Sequence, residues 1–333
     1  MGDVAMTVPV LRAFVKQHPA IKITMVSRAF FKPFFEGIPN VEFFAVDLNQ
    51  RHKGILGLYR LYSDLKKSDV DAVADLHNVL RSKIVRAFFT IVGRKIAHID
   101  KGRDEKKALT RAENKIFKPL KSTFERYADV FRELGFQIDL SNPEFPTKQR
   151  LSAEVSAISG DKNQKWIGIA PFAKHAGKQY PFDLMREVIS ELAKNESNKI
   201  LLFGAGFDEI KLLESFVAQQ PNVIVVAGKL NLGQELNLIQ NLDLMLSMDS
   251  GNAHLAAMFG VKTVTLWGAT HPFAGFYPFA QSESNALLSD REKFPLLPTS
   301  VYGNKIVSGY EDAMRTISPE TVVQKINSLS QTP

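Results

Sequence analysis

Short apolar runs, many of them rich in β-branched residues, alternate along the chain with amphipathic stretches of helical spacing. This alternation is typical of parallel strands joined by crossover helices, so it predicts an α/β protein. The predicted strands of the first half are Ile21–Val26, Val41–Val46, Val70–Asp75 and Lys95–Ile99. Those of the second half are Trp166–Ala170, Lys199–Phe203, Asn222–Val226, Leu242–Met248 and Lys262–Trp267. Each half is therefore expected to form its own Rossmann-like domain.

The domain boundary is predicted near residue 150. A chain of 333 residues exceeds the usual size of one hydrophobic core, and residues 141–146 combine two prolines with turn-forming residues. We expect an N-terminal domain over 1–150 and a C-terminal domain over 151–333. A Ser-Pro-Glu start signal and helical apolar spacing predict a closing helix over Ser318–Leu329.

The N-terminal domain is expected to lack its first strand. Gly2 and Asp3 precede an apolar stretch over residues 7–14, a pattern that predicts a loop entering a helix. Doubly wound domains normally place a strand before such a turn. Two explanations stay open: the sequence starts downstream of its native start, or the domain tolerates the loss. The first is favoured.

Charge and composition limit the classes of binding partner that are expected for this chain. The net charge is +7, and residues 94–126 alone hold eleven Lys or Arg against five Asp or Glu. A solvated basic face and a site for an anionic partner explain this segment equally well. Phosphorylated glycolipid and a membrane surface are candidates, whereas no nucleic-acid-binding motif accompanies the charge, so no nucleic acid is expected. The chain has no cysteine, no apolar run of membrane-spanning length and no secretory signal pattern, so we expect a cytoplasmic protein.

The most informative segment for chemistry runs from residue 242 to residue 260. An apolar strand ends in Asp249-Ser250-Gly251, and a helix rich in small residues carries His254 one turn later. Backbone N–H groups at such a turn, together with the helix dipole, favour a diphosphate. The plainer alternatives are a helix cap at Asp249 or Ser250 and a core histidine at 254, and capping is compatible with phosphate binding.

Two loops of the second half and one residue of the first half contain further candidate site residues. Lys178 lies in a glycine-containing loop after a strand and is a plausible phosphate contact. Gly204 allows close backbone approach after the next strand, and Glu209 follows at a helix start. Asp3 at a helix N-terminus suits a general base, although an ordinary N-cap is the plainer alternative. No P-loop, zinc-protease or nucleophile-elbow motif is present, and we expect no cofactor and no metal.

Four motifs in the right order resemble glycosyltransferase family 9, which includes the lipopolysaccharide heptosyltransferases. They are Gly2-Asp3-Val4-x-x-Thr7-x-Pro9-x-Leu11, Lys178-x-x-Pro181, Asp249-Ser250-Gly251-x-x-His254-Leu255-Ala256-Ala257 and Trp267-Gly268-x-Thr270-x-Pro272. The resemblance implies the GT-B fold, two Rossmann-like domains facing a cleft. It also implies an N-terminal acceptor domain, a C-terminal donor domain, and inversion at the anomeric carbon without an obligatory metal.

The resemblance also implies residue roles. Asp3 matches the catalytic base and Lys178 the lysine that faces donor phosphate and sugar. Asp249 and His254 match the donor-sugar and phosphate side, and Ser250 and Gly251 would offer N–H groups to the diphosphate. Glu209 lies near the position of a ribose contact. Two positions depart from the family pattern: Asn252 stands where a proline usually follows Asp-Ser-Gly, and Ala269 stands where Gly-Pro-Thr has its proline. These departures weaken the assignment of the donor more than that of the fold.

The expected function is transfer of a sugar from a nucleotide-sugar donor, by resemblance ADP-heptose, to a lipopolysaccharide-type anionic glycolipid. Peripheral contact with the inner face of the cytoplasmic membrane is an accompanying expectation. Two alternatives stay open: a nucleotide-sugar epimerase or hydrolase of the same fold, and a non-catalytic nucleotide-sugar-binding protein.

Overall fold

The computed structural model describes residues 1–217, 220–305 and 307–331, which form two compact units. The first unit comprises Met1, residues 3–101 and residues 121–144. The second comprises Gly2, residues 102–120 and residues 145–333. Both units combine helices with parallel strands, which confirms the predicted α/β class. None of the described helices is both long and apolar enough to span a lipid bilayer.

The first unit alternates helices and strands. Its elements, in chain order, are α1 (Gly2–Ala5), α2 (Thr7–Gln17), β1 (Ile23–Ser27), β2 (Val41–Ala45), α3 (Gly54–Lys66), β3 (Ala72–Asp75), α4 (Leu80–Ile91) and β4 (Lys95–His98). After α5 (Arg103–Thr110), which belongs to the second unit, α6 (Thr123–Glu133) completes the first. Residues 2–5 are helical rather than the predicted loop, and α2 follows directly.

Apolar residues at helical spacing hold these elements together. Leu58, Leu61 and Leu65 are spaced three and four apart on α3 and are buried in a cluster with Phe89 of α4. The rings of Phe14 on α2 and Phe131 on α6 lie 4.4 Å apart. The outer helices therefore pack through one face each, and the opposite faces are left to solvent.

The strands of the first unit form two separate parallel pairs. β1 pairs with β2 from Ile23 opposite Val41, and β3 pairs with β4 from Ala72 opposite Lys95. Among the described residues, no strand joins one pair to the other. The first described element is the helix α1.

The second unit is built on one six-stranded parallel sheet. Its strands are β5 (Lys165–Ala170), β6 (Asn198–Leu202), β7 (Val223–Val225), β8 (Leu244–Met248), β9 (Lys262–Trp267) and β10 (Ala286–Leu288). Besides α5, its helices are α7 (Ala153–Ser159), α8 (Phe182–Ala193), α9 (Phe207–Val217), α10 (Leu232–Ile239), α11 (Gly251–Ala257) and α12 (Pro319–Gln331). β10 was not predicted, because three residues carry too little periodicity, whereas the closing helix is present.

The strand order β10-β9-β8-β5-β6-β7 creates a switch point between β5 and β8. From β5 the chain proceeds to β6 and β7 on one side, then returns to β8 and proceeds to β9 and β10 on the other. All five residues of β8 are buried, as expected for a central strand covered on both faces. In sheets of this kind ligands bind at the carboxyl ends of the strands beside the switch point.

Residues 102–120 group with the second unit although they precede the predicted boundary. Leu109 is fully buried, and the Lys106 ammonium, also buried, lies 4.1 Å from the centre of the Phe276 ring. Lys115 donates hydrogen bonds to the carbonyls of Leu296 and Pro298. Part of the basic segment is thus built into the second unit instead of forming a uniformly solvated face.

Candidate functional site

An ion pair between Lys178 and Asp249 lies at the switch point of the second unit. Lys178 is in the loop after β5, and Asp249 immediately follows β8, the two strands that flank that point. The Lys178 Nζ and Asp249 Oδ2 atoms are 2.8 Å apart. Asp249 is only 5% exposed, and its Oδ2 has no partner of good hydrogen-bond geometry among the described residues. A buried carboxylate satisfied mainly by one ammonium retains capacity to accept hydrogen bonds from a ligand.

Two glycines, Gly268 and Gly303, allow neighbouring loops to approach Lys178 closely. A Cβ on Gly303, where φ is +75°, would lie 2.3 Å from Cγ of Lys178. A Cβ on Gly268, in the loop after β9, would lie 2.5 Å from the carbonyl oxygen of Gly177. That same oxygen accepts a hydrogen bond of 2.7 Å from the backbone N–H of Ala269. No side chain larger than hydrogen fits at these contacts, so the glycines fix the position of the lysine.

The start of α11 carries three of the residues predicted for the anion site, Ser250, Gly251 and His254. Ser250 is the N-cap residue, yet its side chain makes no cap hydrogen bond and instead contacts the Ser247 hydroxyl at 3.0 Å. The alternative that Ser250 simply caps the helix is therefore wrong in this structure. His254 lies on the buried face of α11. Ser250 and Gly251 directly follow Asp249, and His254 lies about one helical turn beyond Ser250, as their spacing predicted.

Gly204 and Glu209 form a second loop at the same end of the sheet. The backbone N–H of Ala205 donates to Oε2 of Glu209 at 2.8 Å, so this carboxylate shapes the loop between β6 and α9. A Cβ on Gly204 would come within 3.2 Å of Glu209 Oε2 and would also press on Leu213 and Phe172. Glu209 therefore has a structural partner, and its role toward a ribose stays a prediction.

Asp3 lies in the first unit, on α1, with its side chain exposed. Its backbone carbonyl accepts a hydrogen bond of 3.2 Å from the hydroxyl of Tyr127 on α6. Burial, with a smaller contribution from the Asp3 charge, raises the pKa of Tyr127 well above its usual value. The backbone at Asp3 is therefore anchored to a neutral hydroxyl, while its carboxylate is accessible to solvent.

His77 follows β3 in the first unit, within electrostatic range of Asp3. Its pKa is lowered mainly by burial and also by Lys101, while Asp3 and Asp75 act in the opposite direction. The Asp75 carboxylate accepts hydrogen bonds from the backbone N–H groups of His77 and Asn78. This turn was missed by sequence reasoning, although an Asp-x-His-Asn run at a strand end is a recognisable signal.

Gly303 was also missed, because a glycine in an irregular loop carries no distinctive pattern. Among the residues that the structure describes, no group of three or more His, Asp or Glu side chains could hold a metal ion.

Comparison with known proteins identifies the family. The model of glycosyltransferase family 9 (heptosyltransferase) matches residues 58–300. The chain belongs to glycosyltransferase family 9. It is therefore an enzyme, a glycosyltransferase.

Named relatives and solved structures are similar to this family 9 chain over most of its length. It is 24% identical, over 281 residues, to the lipopolysaccharide core heptosyltransferase OpsX of Haemophilus influenzae, covering 82% of this chain and 77% of that protein. A family 9 glycosyltransferase structure from Veillonella parvula matches with a TM-score of 0.74 at 22% identity, covering 98% and 94% of the two chains. The E. coli heptosyltransferase WaaC with ADP-2-deoxy-2-fluoro heptose matches with a TM-score of 0.66 at 18% identity, covering 98% and 96%. The GT-B fold expected from the resemblance is thus confirmed.

Proposed function

We propose that this family 9 enzyme transfers heptose from ADP-heptose to a hydroxyl of a lipopolysaccharide-type anionic glycolipid, inverting the anomeric carbon. The observation that carries the proposal is the Lys178–Asp249 pair at the switch point, a cation already oriented where a diphosphate would bind. The relatives named as heptosyltransferases, and the WaaC structure with an ADP-heptose analogue, support ADP-heptose as the donor. Contact with the inner face of the cytoplasmic membrane would accompany a lipid acceptor.

The proposed reaction is a single displacement. The acceptor hydroxyl oxygen attacks the anomeric carbon and loses its proton to the Asp3 carboxylate. The bond between that carbon and the diphosphate oxygen breaks, and ADP leaves with the electron pair. Negative charge therefore grows on the diphosphate, and a preoriented cation is a suitable stabiliser because it needs no reorganisation during the reaction.

The second unit would supply the remaining donor contacts. Lys178 would bind the diphosphate, and Ser250 and Gly251 would offer backbone N–H groups to it. Asp249 and His254 would contact the donor sugar, and Gly204 and Glu209 the nucleoside. Asp249 would have a second role, because its carboxylate holds the Lys178 ammonium in place before the donor binds.

A thermal-shift panel tests the donor assignment. A ligand that binds only the native state raises the melting temperature by mass action, so ADP and ADP-heptose should stabilise the protein more than UDP, GDP or CMP and their sugars. Lys178→Met should remove most of the ADP shift. Lys174→Met, an exposed lysine of the same loop, is the matched control and should keep it.

Product analysis separates the rival activities. Transfer should require the glycolipid and release one ADP for each sugar transferred. Free sugar formed without an acceptor would indicate a hydrolase, and nucleotide binding without turnover would indicate a binding protein. A larger stabilisation by UDP than by ADP would contradict the proposed donor.

A further inference from the structure

The outer face of α3 carries three large apolar side chains in one helical turn. Ile55, Leu56 and Tyr59 are 71%, 76% and 54% exposed, in contrast to Leu58 and Leu61 on the buried face of the same helix. Positions 55 and 59, and 56 and 59, are neighbours on a helix surface, so the three side chains form one patch. Single exposed apolar residues are ordinary on protein surfaces, but a contiguous group marks an interaction site. We call Ile55, Leu56 and Tyr59 the α3 patch.

Cations surround the α3 patch. Residues 51–67 contain five Lys or Arg and a single acid, Asp64. Asp64 is already engaged, because Arg51 binds it through two hydrogen bonds of 2.9 Å and Lys67 lies 3.3 Å from it. Among the described residues, no acidic side chain pairs with Lys53 or Arg60. The apolar patch is therefore bordered by positive charge that the protein itself does not neutralise.

The local fold holds the basic loop close to the patch. Gly57 is buried, and a Cβ at this position would lie 2.3 Å from the backbone carbon of His52. Residues 51–53 therefore fold back against the first turns of α3. Gly54 takes a φ of +68°, which turns the chain from Lys53 into the helix that carries Ile55 and Leu56. On the patch itself, the Tyr59 ring is braced by an edge contact to Phe88 of α4 at 5.5 Å.

We propose that the α3 patch docks on an anionic lipid bilayer, with Ile55, Leu56 and Tyr59 entering the headgroup boundary and Lys53 and Arg60 contacting lipid phosphates. Charge complementarity selects this partner, because an exposed apolar face bordered by unpaired cations is the pattern of interfacial helices that bind anionic membranes. The proposal deepens the proposed function and rests on it, because the lipid acceptor is what would bring the enzyme to a membrane. It assigns the contact to α3 instead of to the basic segment 94–126.

Vesicle binding tests the assignment without donor or acceptor, so its outcome is separate from that of the transfer assay. The full chain should sediment with vesicles of phosphatidylglycerol and phosphatidylcholine, and weakly with phosphatidylcholine alone. Ile55→Ser with Leu56→Ser should lower the vesicle affinity about tenfold or more, and Lys53→Gln with Arg60→Gln by about tenfold at low salt. Raising the ionic strength should weaken wild-type binding.

Matched controls exclude general effects of the substitutions. Leu288→Ser removes an exposed apolar side chain of the second unit, and Lys211→Gln removes an exposed cation there. Both controls should bind vesicles like the wild type. All patch variants should keep the wild-type melting temperature and its rate toward a water-soluble, lipid-free acceptor, because none of these residues belongs to the proposed site.

Three results would overturn the proposal. They are equal binding of neutral and anionic vesicles, unchanged vesicle affinity in both patch variants, and a concentration-dependent dimer of the wild type that the patch variants abolish. The last would show that a second copy of the chain covers the patch.

Discussion

Tertiary contacts hold the backbone around Asp3, the residue proposed as the general base. A general base must lie within hydrogen-bond reach of the proton that it removes, which a frayed segment could not achieve. Ala5 and Met6, which follow Asp3 in the chain, are at most 2% exposed. The hydroxyl of Tyr127 donates a hydrogen bond to the Asp3 carbonyl. The backbone is therefore anchored at the Asp3 carbonyl and immediately after it, while the Asp3 carboxylate is accessible to solvent.

Asp3→Asn tests the proposed base. The substitution removes the proton acceptor and keeps the size and capping ability of the side chain, so turnover should fall about a hundredfold or more. The ADP-induced thermal shift should persist, because the donor residues are unchanged. Near-normal turnover would remove Asp3 from the mechanism, and loss of the ADP shift would assign it a structural role.

Some residues of the candidate site could be predicted from the sequence because their signals are local. A strand followed by Asp-Ser-Gly and a small-residue helix predicts the position of Asp249, and a glycine-containing loop after the first strand predicts that of Lys178. Their 2.8 Å contact could not be predicted, because it depends on which strands are neighbours in the sheet. Gly303 is a clearer case: it is needed because of Lys178, a residue 125 positions away, and only the fold brings the two together.

At the level of elements, the loop after β9 depends on one buried histidine. His271 is the N-cap of a short 3-10 turn over Pro272–Ala274, and its Nδ1 accepts a hydrogen bond of 3.1 Å from the backbone N–H of Phe273. An acceptor at Nδ1 requires the neutral ring. Burial, with contributions from the charges of Arg291 and Lys115, lowers the pKa of His271 to about 4. The turn is thus built for an uncharged imidazole.

The stability of the second unit should consequently fall as the pH drops from about 6.5 to about 4. In this window the unfolded chain binds a proton at His271 that the folded chain does not, so folding loses about 3 kcal/mol. His271→Asn keeps an acceptor for Phe273 and removes the titration, so its free energy of unfolding should lose about 3 kcal/mol less. Urea unfolding followed by tryptophan fluorescence measures this, because both tryptophans, Trp166 and Trp267, are buried in the second unit.

The exposed His98 provides the control, and His98→Asn should leave the wild-type pH dependence unchanged. An identical slope for His271→Asn and the wild type between pH 4 and 6.5 would show that the imidazole does not carry the effect.

Element types were easier to predict than element boundaries. All nine predicted strands exist, because runs of β-branched residues between polar turns are strong signals, although some of their ends shift by up to two residues. Two elements were not predicted, the strand β10 and the helix over residues 2–5, and each has a physical reason. β10 pairs with only three residues of β9, which leaves no alternation to detect. Residues 2–5 form a helix whose Asp3 carbonyl accepts a hydrogen bond from Tyr127 of α6, a tertiary contact that local propensity does not encode.

For the molecule as a whole, the main feature that the sequence did not predict is the grouping of residues 102–120 with the second unit. The chain then continues into α6, which belongs to the first unit. A single linker near residue 150 was expected from composition, since 141–146 is the most evident break. The two units divide after residue 144, within 141–146, and residues 102–120, the inserted segment, group with the second unit. A solvated basic face was one of the two interpretations of residues 94–126, and yet Lys106 is 6% exposed and Leu109 is fully buried. Burial of long basic side chains depends on partners far away in sequence, which no local pattern reveals.

The inserted segment should therefore contribute to the stability of the second unit. Its Phe117 ring lies between His271, with ring centres 5.1 Å apart, and Arg291, whose guanidinium is 3.5 Å from the ring centre. Leu109 anchors the preceding helix α5. Leu109→Ala should lower the free energy of unfolding reported by tryptophan fluorescence by about 2–5 kcal/mol, because it opens a cavity in a fully buried site.

Ile116→Ala is the matched control within the same segment, because this side chain is 47% exposed and its truncation should cost less than about 1 kcal/mol. Hydrogen exchange locates the effect: Leu109→Ala should speed amide exchange over residues 103–120 and also over 294–298, whose carbonyls bind Lys115. If exchange rises over 103–120 alone and the tryptophan transition does not move, the segment is only a passive cover. If both change together, a stretch of chain that precedes α6 is an integral part of the unit that carries Lys178 and Asp249.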